Sequence, residues 1–201
     1  MSEAAIQHLS QADKVLARLI KKIGPCLWKP DKRRSPFEAL VRSVTHQQLN
    51  GTAAATIFGR VKALYPGKRF PSPEDLIATS DEKLRGAGLS RAKIAAIKDI
   101  AAKTLGGVVP TSRAIARMED AAIIERLTTI RGVGPWTVEM LLMFKLGRQD
   151  ILPVTDYGVR KGFAVTYNLK DLPSAAELLK HGEKWRPYRS FAAWYLWRSL
   201  D

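Results

Sequence analysis

Apolar residues recur along most of the chain at intervals of three and four, the spacing that gathers them on one face of an α-helix. Ile6, Leu9, Val15, Leu16, Leu19, Ile20 and Ile23 form the first such run, which Gly24-Pro25 stops. "FEALVRSVTHQQL", after Pro36, predicts a second helix that breaks at Asn50-Gly51, and "TAAATIFGRVKALY" carries a third as far as Pro66-Gly67. Ser72-Pro73 supplies a cap followed by proline at the first helical position. Ser80 caps "DEKLRGAG", and Ser90 caps "RAKIAAIKDIAAKTL", which Gly106-Gly107 ends. "TSRAIARM" and "DAAIIERLTTI" are short helices, another runs from Pro135 to Gly147, and another begins around Asp156. "SAAELLKHGEKW" and "PYRSFAAWYLWRSL" complete the series. No convincing run alternates with the period of a strand, and "GVVPT" is the one short β-like fragment. The pattern predicts an all-α protein of roughly ten or more short helices, with no internal repeat and no low-complexity linker.

With 201 residues, 46% of them hydrophobic, the chain can fill the core of one ordinary domain, or of one domain built from two lobes. Cys26 is the single cysteine, so neither an intrachain disulfide nor a cysteine-ligated cluster can form, and the thiol reads as a small buried group. His8, His46 and His181 are far apart in sequence, which argues against a zinc site. The amphipathic N-terminus has no secretory core, and no apolar run is long enough to span a membrane. An intracellular protein is expected. Charge changes the picture most: 33 Lys and Arg stand against 19 Asp and Glu, a net +14. Such an excess repels itself and points to a polyanionic partner, with an inert basic surface as the alternative.

The stretch "LTTIRGVGPWTVEMLLMF" then carries chemistry. Two apolar helical runs meet at Gly132-Val133-Gly134, a turn too tight for ordinary side chains. The N–H groups that open the second helix, with its dipole, suit a phosphate read without sequence preference. An ordinary αα-corner would look similar. Downstream, "ILPVTDYGVRKGF" places Asp156 before a helix, where either it or Thr155 can serve as N-cap.

The first stretch resembles the helix–hairpin–helix of the DNA glycosylase superfamily that carries a Gly/Pro-rich hairpin and a following aspartate. The second resembles that superfamily's catalytic-aspartate loop. "VRSVTHQQLNGTAAATIF", "FPSPEDLIATSDEKLRGAGLSRAKIAAIKDIA" and "EKWRPYRSFAAWYLWR" are similar to its alkylation-repair branch, the 3-methyladenine DNA glycosylase II family. The resemblance covers about residues 36 to 200. It implies two helical lobes around a cleft: a central lobe of about residues 40–150 containing the hairpin 127–141, and a second lobe from the N- and C-terminal helices. The chain is too short for the N-terminal β-rich domain of some members. Where family hairpins usually have proline before the first glycine, this chain has Arg131, which adds a cation beside the phosphate site formed by Arg131, Gly132, Val133 and Gly134.

The resemblance implies a role for each of several further residues. Asp156 is the catalytic carboxylate. Trp136 occupies the hairpin position at which bifunctional members carry a Schiff-base lysine, so hydrolysis without strand cleavage is expected, because an indole cannot form an imine. Trp136 instead resembles the wall of an alkylbase pocket, its ring attracting a cationic methylated purine by on the order of 1–3 kcal/mol. Trp185 matches a second pocket aromatic, and Tyr157 lines the same cleft; core packing is the alternative for each. The turn "HQQLNG" holds the intercalating position, with Gln48 the first candidate wedge and Leu49 and His46 next. Backbone carbonyls of Thr128, Ile130 and Val133 match a hairpin site for Na⁺ or K⁺, and no cofactor is required. Lys145, Arg148, Arg160, Lys161 and Arg91 are candidate phosphate contacts. The expected partner is double-stranded DNA with alkylated bases, bound by a monomer away from any membrane. A non-catalytic helix–hairpin–helix DNA-binding module is the rival from another class. A glycosylase for oxidised or mismatched bases is a second rival, although such enzymes commonly use the lysine or cysteine cluster missing here.

Overall fold

The computed structural model describes residues 2–201. Among them are thirteen α-helices, one π-helical turn and one 3₁₀ turn, with no strand. In chain order the helices are α1 (Ser2–Ala12), α2 (Lys14–Ile23), α3 (Pro36–His46), α4 (Gly51–Ala63), α5 (Pro73–Ala78), α6 (Asp81–Gly86) and α7 (Arg91–Leu105). They continue as α8 (Ser112–Ile115), α9 (Asp120–Leu127), α10 (Pro135–Leu141), α11 (Tyr157–Thr166), α12 (Ala175–Gly182) and α13 (Arg189–Arg198). The π-helical turn, Leu142–Leu146, continues α10, and the 3₁₀ turn is Glu183–Trp185.

Most helix starts are set locally. The side chains of Ser35, Asn50, Ser72, Ser80, Ser90, Thr111 and Ser174 each accept a backbone N–H of the following turn. Such a bond is typically worth about 1 kcal/mol. The first apolar run departs from the single helix its spacing predicts. Asp13 turns out of helical conformation, and its Oδ1 accepts the N–H groups of Val15 (3.0 Å) and Leu16 (3.1 Å), so the run becomes two helices. The helix expected from Pro135 to Gly147 widens at Leu142, and the π turn buries Leu142, Met143 and Lys145.

The chain divides into two compact units, one formed by the N-terminal segment through Pro30 together with Leu142–Asp201, the other by Asp31–Leu141. The Asp31–Leu141 unit spans most of the central lobe of about residues 40–150 that the family resemblance implies. In the Asp31–Leu141 unit, α3 is buried nearly all round through Phe37, Ala39, Leu40, Val41 and Val44, and α4, α7 and α10 pack against it. A helix enclosed on most sides has little surface to present to water, which explains why α3 carries few charges. One of those charges, Glu38, is only 4% exposed and is held by Arg69 at 2.8 Å and Arg34 at 3.6 Å. In the other unit, α11 packs closely on α13. A Cβ on Gly162 would lie 2.0 Å from the Leu196 carbonyl oxygen, so only glycine allows this approach.

Candidate functional site

The glycine turn is built within the Asp31–Leu141 unit. Ile130 and Val133 are buried and anchor it, while Arg131, Gly132 and Gly134 are exposed. Gly132 has φ +74°, and a Cβ there would lie 2.7 Å from that of Ala96, so both conformation and space demand glycine. Gly134 differs: its φ is ordinary and a Cβ would meet no protein atom within 4 Å. Packing inside the protein gives no reason for glycine at that position. The Arg131 N–H donates to Asp99 Oδ2 of α7 at 2.8 Å, and the Ile130 carbonyl accepts the Val133 N–H at 3.1 Å. The Gly134 carbonyl accepts the N–H groups of Thr137 and Val138, which starts α10. Trp136, in the first turn of α10, is half-buried.

The turn after α3 lies in the same unit. Gln47 Nε2 donates to the Gly132 carbonyl (3.0 Å) and to Thr137 Oγ1 (2.8 Å), tying the turn to the hairpin and to α10. Lys93 Nζ donates to the carbonyls of Thr45 (2.7 Å) and Gln47 (2.9 Å), and burial pushes its pKa down. Gln48 and Leu49 are exposed, and Gln48 has φ +55°. His46 is turned back: its Nδ1 bonds the Arg42 carbonyl at 2.8 Å and its ring packs on Phe58. Burial, followed by the charge of Arg42, lowers the pKa of its imidazole. Of the three wedge candidates, only Gln48 and Leu49 project outward.

Asp156 belongs to the other unit. It is the N-cap of α11, a role that Thr155 does not take, and it is half-buried. Its Oδ1 accepts the Val159 N–H at 2.8 Å and the Trp197 indole N–H, also at 2.8 Å. Gly158 makes this possible, since a Cβ there would lie 2.8 Å from Trp197 Cδ1 and 3.1 Å from Asp156 Oδ1. The cap reading and a chemical role are therefore compatible in one carboxylate. Tyr157, beside it, is 66% exposed. Trp197 comes from α13 and was not singled out by sequence. Its spacing looks like any apolar helix position, and only the Gly158 and Gly162 pair on the partner helix hints at a close approach.

Trp185 is a correction. It was expected to wall a base pocket, yet it is fully buried, and its indole N–H donates to Asp13 Oδ2 at 3.0 Å. His181 and Phe163 pack around its ring, so no face is open to a base. Two of the basic candidates are also committed elsewhere: Lys145 is only 6% exposed, and Arg160 Nε donates to the Pro173 carbonyl at 2.8 Å. Lys161 and Arg91 are exposed. Among the described residues, no group of three or more His, Cys, Asp or Glu side chains is placed to hold a metal ion. No helix of the described residues is long and apolar enough to cross a membrane.

These features find a close counterpart among known proteins. The family model described as HhH-GPD superfamily base excision DNA repair protein matches residues 41–187. The chain is 40% identical over 195 residues to DNA-3-methyladenine glycosylase 1 of Schizosaccharomyces pombe, covering 96% of this chain and 85% of that one. It is 33% identical, over 96% of this chain and 92% of the other, to the alkylbase DNA glycosidase-like protein mag2 of the same yeast. The structure of the S. pombe 3-methyladenine DNA glycosylase in complex with abasic DNA superposes with a TM-score of 0.92, covering 97% of this chain and 95% of that one at 40% identity.

Proposed function

Because the chain belongs to the HhH-GPD superfamily of base excision DNA repair proteins, we propose that it is a monofunctional DNA glycosylase that releases alkylated purines of the 3-methyladenine and 7-methylguanine type from duplex DNA and leaves an abasic site. The single observation that carries this reading is Asp156, fixed by the α11 cap and by Trp197 within a loop of the superfamily's catalytic type. The target nucleotide leaves the stack, since its glycosidic bond is inaccessible inside a duplex. Gln48, with Leu49 beside it, enters the gap. A cationic methylated base is already a good leaving group, so the bond breaks through an oxocarbenium-like sugar that the Asp156 carboxylate stabilises. The same carboxylate orients or deprotonates the attacking water.

Trp136 stacks on the cationic base, Tyr157 flanks the reacting sugar or base, and the hairpin N–H groups take a phosphate at Gly134, where the missing Cβ leaves room. A monovalent cation held by the Thr128, Ile130 and Val133 carbonyls would add positive charge at that phosphate; the Ile130 oxygen, already accepting one N–H, keeps a second lone pair for it. The net charge of +14 supplies salt-sensitive affinity for any duplex.

The test is chemical identification of free 3-methyladenine and 7-methylguanine released from methylated DNA, run beside 8-oxoguanine DNA. Release of methylated bases without strand breaks, and without a borohydride-trapped adduct, is expected. Binding without release of any base would leave a non-catalytic DNA-binding module, and a trapped adduct would overturn the monofunctional reading.

A further inference from the structure

The adjacent glutamines of "HQQLNG" do opposite things. Gln47 points inward and commits both amide hydrogens to the Gly132 carbonyl and Thr137 Oγ1, 85 and 90 residues away in the chain. Gln48 points outward, with its backbone in the left-handed region that non-glycine residues avoid. Such a conformation persists only when the surroundings hold it. Here they do so from both sides. Lys93, in the first turn of α7, grips the carbonyls of Thr45 and Gln47, and Asn50 caps α4 immediately after the turn. The hairpin is braced against the same helix, because Asp99 of α7 accepts the Arg131 N–H.

We propose that Gln47 and Lys93 are positioning residues that lock the Gln48–Leu49 turn onto the hairpin, so that phosphate capture and entry into the base stack occur as one rigid step. This inference rests on the glycosylase reading above, in which Gln48 fills the gap left by the displaced base. The physical basis is preorganisation. A wedge that must hold the stack open cannot yield when the bases push back, and a strained two-residue turn yields unless its neighbours are fixed. Hydrogen bonds from Gln47 to the hairpin carbonyl relay the phosphate anchor directly to the wedge, with no intervening flexible segment. A Lys93 that only capped the C-terminal carbonyls of α3 would matter for stability alone.

Two readouts separate these roles. One is single-turnover base release from methylated duplex. The other is the fluorescence change of 2-aminopurine placed opposite a non-cleavable abasic analogue, which reports wedge entry without chemistry. Gln47→Glu keeps the side-chain shape and loses both donors; Gln47→Met removes the same contacts by a second route, should the first variant fold poorly, and Lys93→Met removes the grip on the Thr45 and Gln47 carbonyls. Each is expected to lower release about tenfold or more and to diminish the fluorescence change in proportion, while Lys93→Arg, which can still donate to two carbonyls, retains both. Gln48→Ala should diminish the same fluorescence change. Wild-type fluorescence in the Gln47 and Lys93 variants, whatever their thermal midpoints, would overturn the proposal, as would a Gln48→Ala protein with a full signal. If the wild-type protein releases no methylated base, the glycosylase reading fails, and the fluorescence series still decides whether the turn is locked to the hairpin.

Discussion

Two aspartates of the same compact unit share one local design and serve opposite ends. Asp13 and Asp156 are both helix N-caps, and each accepts an indole N–H from a C-terminal tryptophan, Trp185 for the first and Trp197 for the second. Asp13 is 4% exposed, and its Oδ2 also meets Tyr167, His181 at 3.1 Å and Lys184 at 3.0 Å. Burial alone would raise its pKa; the donors from Tyr167, Lys184, Leu16 and Trp185 outweigh that and hold the carboxyl well below the ordinary range. Burial first, and then the same contact with Asp13, pushes the Tyr167 phenol far up. Asp156 is half-buried, with its Oδ1 fixed by one cap and one indole. An Asp cap with a tryptophan donor is therefore not itself a site. Asp13 is a structural hub enclosed by donors, whereas Asp156 is half-buried and lies in the loop to which the proposed function assigns the chemistry.

Substitutions at the two aspartates should have opposite consequences. Asp13→Ala should cost about 3–5 kcal/mol of stability, because it strands buried donors and removes the α2 cap. Urea unfolding measures this, and base release per folded molecule should be unchanged. Asp156→Asn should do the reverse. Asparagine caps as well as aspartate, so the unfolding midpoint should hold, while release of 3-methyladenine falls on the order of 10²–10³-fold through loss of transition-state charge stabilisation. Wild-type release by Asp156→Asn would remove Asp156 from the chemistry.

The tryptophans sharpen the contrast. Trp197→Phe and Trp185→Phe each delete one hydrogen bond to a carboxylate, worth about 1.5–3 kcal/mol. Removing Trp197 should appear mainly in the single-turnover rate, and removing Trp185 mainly in stability. The smallest effect concerns pH. The folded pKa of Asp13 lies below its ordinary 3.8, so its stabilisation is fully present above that value and is lost as pH falls through the depressed folded value. The stability gap between wild type and Asp13→Asn should therefore be constant above neutral pH, where the neighbouring His181 is uncharged, and narrow below about pH 4, as urea titrations at a series of pH values would show. A gap that persists unchanged into strong acid would assign the stabilisation to packing rather than to charge.

The all-helical architecture and most helix starts are legible in the linear chain, because caps at Ser72, Ser80 and Ser90 and apolar periodicity act within a few residues of each other. So are the hairpin and the Asp156 loop, where local backbone demands leave a readable glycine and a readable cap. The break at Asp13 was written there too, but an uninterrupted apolar stripe masked it. Which aromatic serves which carboxylate is settled by packing between distant segments. Trp185 and Trp197 look alike in a helical pattern, and a fully enclosed ring differs from one laid across Gly158 only once α11 and α13 are brought together. The same holds for Gln47 and Lys93, whose polar side chains look like ordinary surface groups until the fold brings carbonyls from distant residues within reach of their donors. Periodicity and capping are short-range and survive in a linear text; the partner of a hydrogen bond that joins residues 85 positions apart does not.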